Sequence, residues 1–494
     1  MSTPSAPAPP PGVDYRRRWL VLVAVGIGIF LSTVDGSIVN LALPTLEEEF
    51  AITFGAVQWV VLAYLLTLAT LVLAIGRLGD MVGKKRIYTA GFSVFTVASL
   101  MCGLAPSLPW LVAFRILQAV GASMIQALGM AITTEAFPAS ERGRALGING
   151  AVVSLGIITG PTLGGIIIDA LSWHWIFFVN LPVGVVGTLA AVRFIPNVPA
   201  RPGQRFDFVG AGAFFVALLG ALLGMTMAQD RGFSDPTVVT LLGIGVVFLV
   251  GFIVIERRVA EPMLDLTLFR SRLLRVNLFT GWTVFIGVSG LLILLPFYLE
   301  NVRGYQPRTV GLIVAAVPFA LIFVAPASGL LSDRIGPRPV TVAGLAVLVI
   351  AYGLISLVGV GASIMLFVVV LLPIGVGTGI FQSPNNSAVL GSVPQHRLGV
   401  TSAMLTITRI TGQITGIAVL GTIWAMRVSA ISGVRGDATA APAAAQAQAF
   451  QDTARVVAAL LTTSLALATW GWLAERRERA AAGLAGLEPQ PSDP

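Results

Sequence analysis

The chain contains few of the side chains on which most soluble enzymes depend. Its 494 residues include one cysteine and two histidines, and charged residues make up only 11%. The single cysteine, Cys102, excludes an intramolecular disulfide and a cysteine-based metal cluster. The sequence also lacks a Gly-x-x-x-x-Gly-Lys-Ser/Thr phosphate loop, a His-Glu-x-x-His site and a Gly-x-Ser-x-Gly elbow. These absences predict a protein that is not an enzyme and needs no cofactor or metal.

Apolar sequence fills the chain instead. Hydrophobic residues make up 56% of it, and the mean hydropathy is +0.88, which excludes a soluble domain. Fourteen apolar segments reach the length of about 20 residues that a helix needs to span a bilayer. The sequence therefore predicts an all-α membrane protein with fourteen transmembrane helices.

The basic residues predict its orientation. When both termini are placed in the cytoplasm, 23 of the 31 Lys and Arg residues fall in cytoplasmic segments, as the positive-inside rule requires. The net charge of +8 then meets anionic lipid headgroups, and no nucleic-acid partner is needed to explain it. Two lysines against 29 arginines, with abundant Ala, Gly and Pro, indicate a GC-rich bacterial source. We expect a monomer in the bacterial cytoplasmic membrane.

A short loop sequence occurs twice, which indicates two related halves. The stretch Gly76–Arg86 recurs as Gly329–Arg338, at a constant offset of 253 positions. The aligned pairs are Gly76 with Gly329, Asp80 with Asp333, and Gly83 with Gly336. Internal repeats of membrane helices are typical of secondary transporters. We predict six-helix bundles at 19–195 and 276–475, an inserted helix pair at 208–255, and disordered cytoplasmic tails at 1–18 and 476–494.

Asp35 is the first of three charges placed deep in predicted spans. It lies nine residues before Pro44, about 13 Å below the outer helix end. Charges at a helix centre cost about 2.5–3.5 kcal/mol on insertion scales, so each is a functional candidate. A desolvated carboxylate suits a proton carrier or a cation anchor. The alternative is a structural aspartate bonded to the backbone and to hydroxyls such as that of Ser32.

The other two deep charges are arginines. Arg115 lies about 9 Å below the outer surface, and Gln118, Ala122, Gln126 and Thr133 share its helical stripe. Such a stripe indicates a water-filled cavity, although Arg115 at this depth is also able to snorkel to the headgroups. Arg409 lies about 16 Å deep, with Gln413 one turn later. It has three open roles, which are an ion pair with Asp35, a contact with an anionic group of the cargo, and a structural niche.

Further polar and small residues are weaker candidates. Gln382 and Asn385 follow a glycine-rich segment, and they either meet the cargo from the cytoplasmic side or bond to helix ends. Tyr64 is a candidate for stacking against the cargo. Gly156, Gly160 and Gly164 surround Pro161, a pattern of close helix packing with a proline kink.

Several motifs together resemble the major facilitator superfamily, and within it the fourteen-span drug:proton antiporters. Gly76–Arg86 and Gly329–Arg338 are similar to the two copies of that family's cytoplasmic loop motif. Val34–Pro44 resembles its first-span motif, Arg115–Gly121 its fourth-span motif, and Gly156–Gly165 its fifth-span antiporter motif. The resemblance covers nearly the whole chain and implies the major facilitator fold. His174 stands where arginine is usual, and Glu300 where glutamine is frequent.

The resemblance also implies roles for individual residues. Asp35 and Arg115 would couple transport to protons. The loop and fifth-span motifs would control the conformational cycle, and the latter is typical of exporters. Their residues in this sequence are Gly76, Asp80, Gly83, Lys84, Lys85, Arg86, Asp333 and Arg334 in the loops, and Gly156, Gly160, Pro161, Gly164 and Gly165 in the span.

These observations predict a proton-driven exporter of amphipathic or hydrophobic small molecules, with drugs as the first candidates. The proton gradient would supply the energy, and the partners would be the substrate, protons and membrane lipids. We expect Asp35, Tyr64, Gln118, Gln126, Gln382, Asn385, Arg409 and Gln413 to bind the substrate. The alternatives are an exporter of one lipid or antibiotic, a proton-coupled importer of a metabolite, and a receptor that transports nothing.

Overall fold

The computed structural model describes residues 15–138, 141–198, 207–259, 269, 271–359, 361–392, 398–434 and 437–485. Across these residues the regular structure is helical and no strand occurs. The helices are α1 (Arg18–Phe50), α2 (Phe54–Val57), α3 (Trp59–Val82), α4 (Lys84–Gly103), α5 (Leu108–Ala136), α6 (Arg142–Ala170), α7 (Trp175–Phe178), α8 (Asn180–Phe194), α9 (Phe208–Arg231), α10 (Pro236–Glu256), α11 (Arg272–Phe297), α12 (Pro307–Val314), α13 (Ala316–Ile335), α14 (Pro337–Ile355), α15 (Ile364–Gly391), α16 (Leu398–Thr415), α17 (Gly421–Ser432) and α18 (Ala443–Ala485).

Thirteen helical segments among the described residues are long and apolar enough to cross a membrane. The remaining predicted span corresponds to α4, a 20-residue helix that begins with Lys84, Lys85 and Arg86. It packs between α5 and α8, as the neighbouring spans of one bundle do. The all-α membrane architecture is therefore confirmed, with α4 less apolar than the other spans.

The tails differ in part from the prediction. Residues 1–14 lie outside the described part of the chain, and a short 3₁₀ turn at Tyr15–Arg17 leads directly into α1. At the other terminus α18 continues to Ala485, ten residues beyond the predicted end of the C-terminal bundle. The predicted disorder is therefore wrong for 476–485, where alanine and arginine favour a continued helix, and 486–494 lie outside the described residues.

The two copies of the repeated loop make the same kind of turn. Gly83 ends α3 with φ of 110°, and Gly336 ends α13 with φ of 87°. Side chains strongly disfavour positive φ, so glycine at both positions permits a sharp turn between consecutive helices. The next helix begins at once in each case, at Lys84 and at Pro337. The repeat in the sequence thus corresponds to a repeated helix connection.

The ends of the bundle differ in their chemistry. We call the end that carries Arg18, Lys84 and Arg338 the basic end, and the opposite one the far end. Three ion pairs at the basic end each join residues of one half, Arg18 with Glu141 (2.8 Å), Lys84 with Glu135 (2.7 Å), and Arg338 with Glu475.

The two halves meet at the far end. Phe54 of α2 stacks edge-on against Phe297 and Trp424 of the C-terminal half, with ring centroids 4.9 and 4.8 Å away. Thr439 donates a 2.8 Å hydrogen bond to Glu47. Along α6 and α12, Gly165 lies so close to the Pro307 carbonyl that an added Cβ would approach it to 2.6 Å. The far end is therefore closed by apolar and backbone contacts across the halves.

The inserted pair α9 and α10 packs mainly on itself, and α9 also contacts both halves. Its Gln229 side chain donates to Gln58 Oε1 (3.2 Å) and to Thr422 Oγ1 (3.4 Å), and Thr422 donates to the Met225 carbonyl (3.0 Å). Gln58 belongs to the N-terminal half and Thr422 to α17. The insertion thus bridges the two halves near their closed end.

Candidate functional site

Asp35 and Arg115 form an ion pair inside the N-terminal half. Asp35 lies in the middle of α1 and Arg115 in the first third of α5, and Arg115 Nη1 is 2.6 Å from Asp35 Oδ2. The two side chains are 0% and 1% exposed. A buried charge is tolerated only when it is paired and hydrogen-bonded, and this pair meets both conditions.

Three more polar side chains complete the shell around the pair. Gln118 accepts from Arg115 Nη1 (2.6 Å) and donates to Asp35 Oδ1 (2.8 Å). Asn180 at the start of α8 donates to the same oxygen at 3.0 Å. Ser99 of α4 accepts from both amides, at 2.6 and 3.4 Å. The carboxylate of Asp35 is thereby held by three donors on two helices other than its own.

Helix α3 holds the arginine from the other side. Arg115 Nε donates to the Val60 carbonyl at 3.1 Å, and its guanidinium lies 4.2 Å from the centre of the Tyr64 ring. The Tyr64 hydroxyl is buried and has no hydrogen-bond partner among the described residues. We call Asp35, Tyr64, Ser99, Arg115, Gln118 and Asn180 the buried network. It connects α1, α3, α4, α5 and α8, so a change at the ion pair reaches five helices.

One of the open roles of Arg409 is wrong. Asp35 is paired with Arg115 of its own half, and not with Arg409 of the other. On the predicted stripe, Arg115, Gln118 and Ala122 are buried within the N-terminal bundle, whereas Gln126 is partly exposed. The periodicity did show correctly that Arg115 and Gln118 share a face. It cannot show which neighbour that face meets.

Arg409 has a different environment. It lies on α16, is partly exposed, and makes no hydrogen bond or ion pair with the described residues. Gln126 of α5, Gln382 of α15 and Gln413 of α16 are also partly exposed. These four residues leave polar groups available to a ligand, whereas Asp35, Tyr64 and Gln118 are sealed within the buried network in this conformation.

Asn385 lies close to Thr408, the residue that precedes Arg409, in the C-terminal half. A Cβ added to Gly281 of α11 would be 3.5 Å from Asn385 Nδ2 and 3.9 Å from the methyl group of Thr408. Asn385 is buried, and its Oδ1 accepts no hydrogen bond from the described residues. An unsatisfied buried amide oxygen is costly, so Asn385 has acceptor capacity left for a polar group of a ligand.

The predicted gating residues occupy two regions. Glycines 156, 160 and 164 on α6 pack against α1, where a Cβ on Gly160 would reach Ser37 Oγ at 1.8 Å. Gly165 faces α12 of the other half, and Pro161 lies inside α6. The expected close packing is therefore present.

The loop motifs lie at the basic end. Lys84 is paired with Glu135, Lys85 is partly exposed, and Arg86, Asp333 and Arg334 are exposed. Gly76 has open space around it. The side chain of Asp80 lies outside the described part of the structure.

Sequence reasoning missed both Ser99 and Asn180 as members of the site. Neither is charged, and isolated serines and asparagines are frequent in membrane helices. A signal existed for Asn180, since it begins an apolar helix and is followed by Pro182, but that pattern predicts a helix start more readily than a ligand of a carboxylate.

Comparison with known proteins decides the family. The sequence pattern of the Major Facilitator Superfamily matches residues 25–417 of this chain. The chain belongs to the Major Facilitator Superfamily. A crystal structure of a bacterial homologue of the human lysosomal transporter Spinster, in an inward-facing and unoccupied conformation, superposes with a TM-score of 0.64 at 17% identity. It covers 92% of this chain and 96% of the homologue, which supports the fold of this superfamily member.

Curated relatives are transporters. The riboflavin transporter RibZ of Clostridioides difficile is 35% identical over 80% of this chain and 85% of its own. The multidrug resistance protein Stp of Mycobacterium tuberculosis is 36% identical, covering 84% and 77%. The tetracenomycin C resistance and export protein of Streptomyces glaucescens is 30% identical, covering 86% and 79%. This superfamily member is therefore a multi-pass membrane transporter and not an enzyme.

Proposed function

We propose that this transporter exports amphipathic or hydrophobic small molecules from the cytoplasm in exchange for protons, as a monomer with both termini in the cytoplasm. The observation that carries the proposal is the ion pair of Asp35 and Arg115, sealed in the N-terminal half. A carboxylate bound to an arginine inside a bundle is a group whose protonation changes the contacts of several helices at once. The names of the relatives from M. tuberculosis and S. glaucescens support export.

The alternating-access step follows from the contacts of the buried network. When a proton neutralises Asp35, its attraction to Arg115 falls, and α1 is no longer held to α5 by an ion pair. Arg115 remains attached to α3 through the Val60 carbonyl and Tyr64. Helix α1 also packs closely against α6. Helix α3 begins directly after Gln58, which lies at the far end. Protonation would thus change the contacts between the helices that close the far end.

The proposed direction of transport rests on the closed far end and on the charge of the basic end. With the basic end in the cytoplasm, as the positive-inside rule predicts, the closed far end faces the outside, and cargo would enter from the cytoplasmic side. A proton that enters Asp35 from outside moves down the membrane potential, which supplies about 2.3 kcal/mol per charge for each 100 mV. Two features would control the exchange between conformations. They are the repeated loops at Gly83 and Gly336 and the close packing of α6 against α1.

The experiment uses purified protein in liposomes with an imposed proton gradient and an internal pH dye. A panel of lipophilic cations, neutral drugs and organic acids is added to the wild type and to Asp35→Asn. We expect at least one compound to dissipate the gradient through the wild type alone. Equal dissipation by Asp35→Asn would show that Asp35 does not carry the proton.

A second candidate is transport of one metabolite. The relative from C. difficile is named a riboflavin transporter and matches 80% of this chain. Uptake of labelled riboflavin into the same liposomes separates the two functions. Saturable riboflavin flux, together with no response to the drug panel, would favour the metabolite transporter.

A further inference from the structure

Arg409 is the one deep charge that the buried network does not explain. Of the three charges that the sequence places deep in spans, Asp35 and Arg115 neutralise each other at 2.6 Å. Arg409 makes neither an ion pair nor a hydrogen bond with any described residue. An arginine at mid-membrane depth is costly unless it meets water or a partner, so its surroundings decide what it does.

The neighbours of α16 show where Arg409 points. At about 100° per residue, Thr408, Gly412 and Gly416 share one face. That face packs on α11, since a Cβ on Gly412 would lie 2.8 Å from the Trp282 carbonyl and one on Gly416 would lie 2.3 Å from that of Ile286. Ile407 packs against the inserted pair, on a second face about 100° from Thr408.

The third face of this helix is turned to the N-terminal half. Directly after the π-helical segment at Gly416–Leu420, Gly421 at the start of α17 lies against the Gln58 amide, and α16 contacts α3. Arg409 and Gln413 project about 40° from each other, between the face that meets α11 and the one that meets α3. Their partly exposed side chains therefore face the space between the halves and not the lipid.

We infer that Arg409 is a subsite for one anionic group of an otherwise apolar cargo. The inference rests on the proposed function for the statement that cargo occupies the space between the halves. The three deep charges together give a net charge of +1, because Asp35 and Arg115 neutralise each other within the buried network and Arg409 contributes +1. The guanidinium offers two parallel donors to a carboxylate or a phosphate.

Nearby groups complete the subsite. Gln413 presents an amide on the same face, and Trp282 and Phe285 of α11 lie beside Gly412. Asn385 supplies an amide whose oxygen lacks a partner among the described residues. An aromatic or alicyclic acid fits this combination of one charge, amides and rings. An anionic phospholipid offers the same headgroup chemistry as a free acid.

The test compares a carboxylate-bearing xanthene dye with its methyl ester, which differ only in the anionic group. Binding to the purified transporter in nanodiscs of neutral lipid is measured by fluorescence anisotropy, without a proton gradient. The variants are Arg409→Gln, which removes the charge, and Arg409→Lys, which keeps it. Arg231→Gln, at the exposed end of α9, is the matched control for loss of one positive charge.

We expect Arg409→Gln to weaken binding of the acid at least about tenfold, or about 1.4 kcal/mol, and binding of the ester less than about twofold. Arg409→Lys should retain most of the affinity for the acid, and Arg231→Gln should behave as the wild type. Equal losses for acid and ester, or no preference of the wild type for the acid, would overturn the inference.

Two further comparisons separate the possible sources and the two proposals. If phosphatidylglycerol in the nanodisc displaces the acid from the wild type, the anionic group comes from lipid. If phosphatidylglycerol does not displace the acid, the group belongs to a free compound. Because binding needs no gradient, a charge-dependent preference without drug-driven proton exchange would refute proton coupling and leave the anionic subsite in place.

Discussion

A double-mutant cycle on Asp35 and Arg115 measures how strongly the buried pair is coupled. Asp35→Asn keeps an oxygen that accepts from Gln118 and Asn180, which now donate at 2.8 and 3.0 Å. What it removes is the charge opposite Arg115. The centres of two such charged groups lie about 4 Å apart, where their attraction is about 4 kcal/mol at an effective dielectric constant near 20.

The cycle compares Asp35→Asn, Arg115→Gln and the double variant. Each single change leaves one buried charge without its partner and should lower the free energy of unfolding by about 3–5 kcal/mol. The double variant leaves no charge, so its loss should be smaller than the sum of the two by at least about 2 kcal/mol. Unfolding is followed by titration with sodium dodecyl sulfate in mixed micelles. Additive losses would refute the claim that the pair is an energetic unit.

Three further predictions concern the packing of α6 against α1, the inserted pair, and the loop between α6 and α7. Gly160→Leu should abolish transport, because even a Cβ at this position would meet Ser37 at 1.8 Å. Gly36 has open space around it, so Gly36→Ala should transport as the wild type does. Equal flux through both variants would contradict the claim that transport requires close packing of α6 against α1. Gln229→Ala removes the hydrogen bonds from Gln229 to Gln58 and Thr422, so the far end should open more often. A cysteine introduced at Ala56 should then react faster with a membrane-impermeant maleimide. An unchanged reaction rate would show that these hydrogen bonds do not hold the far end closed. Burial lowers the pKa of His174 below its ordinary 6.5, although the negative charge of Glu49 opposes this shift. On acidification through about 6.5 the unfolded chain therefore takes up the proton first, which should destabilise the fold. The pKa of His174 is measured by nuclear magnetic resonance in a His396→Gln background, and titration above 6.5 would contradict this prediction.

The helices and the internal repeat could be predicted from the sequence because they depend on local properties. Apolar length determines each span, and the glycine of each repeated loop determines a turn, as the positive φ of Gly83 and Gly336 shows. Asp35 and Arg115 were identifiable as functional candidates for a similar reason. Any charge within an apolar helix is conspicuous, whatever it contacts.

The partners of those charges could not be predicted in the same way. Periodicity placed Gln118 on the face of Arg115, but the rotation of α5 relative to α1 and α4 is determined by packing of the whole bundle. The pairing of Asp35 with Arg409, one of three open roles, was wrong for that reason. Ser99 and Asn180 carry no charge, so nothing in the sequence separates them from other polar residues until the helices are assembled.

The most direct test of proton coupling is to count protons at equilibrium. The purified transporter is placed in weakly buffered detergent solution with a pH-sensitive dye, and a compound that dissipated the gradient in liposomes is added. The account predicts proton release by the wild type, less release as the pH is raised, and none by Asp35→Asn at a saturating concentration of the compound. Binding without proton release by the wild type, or the same release by Asp35→Asn, would contradict the account.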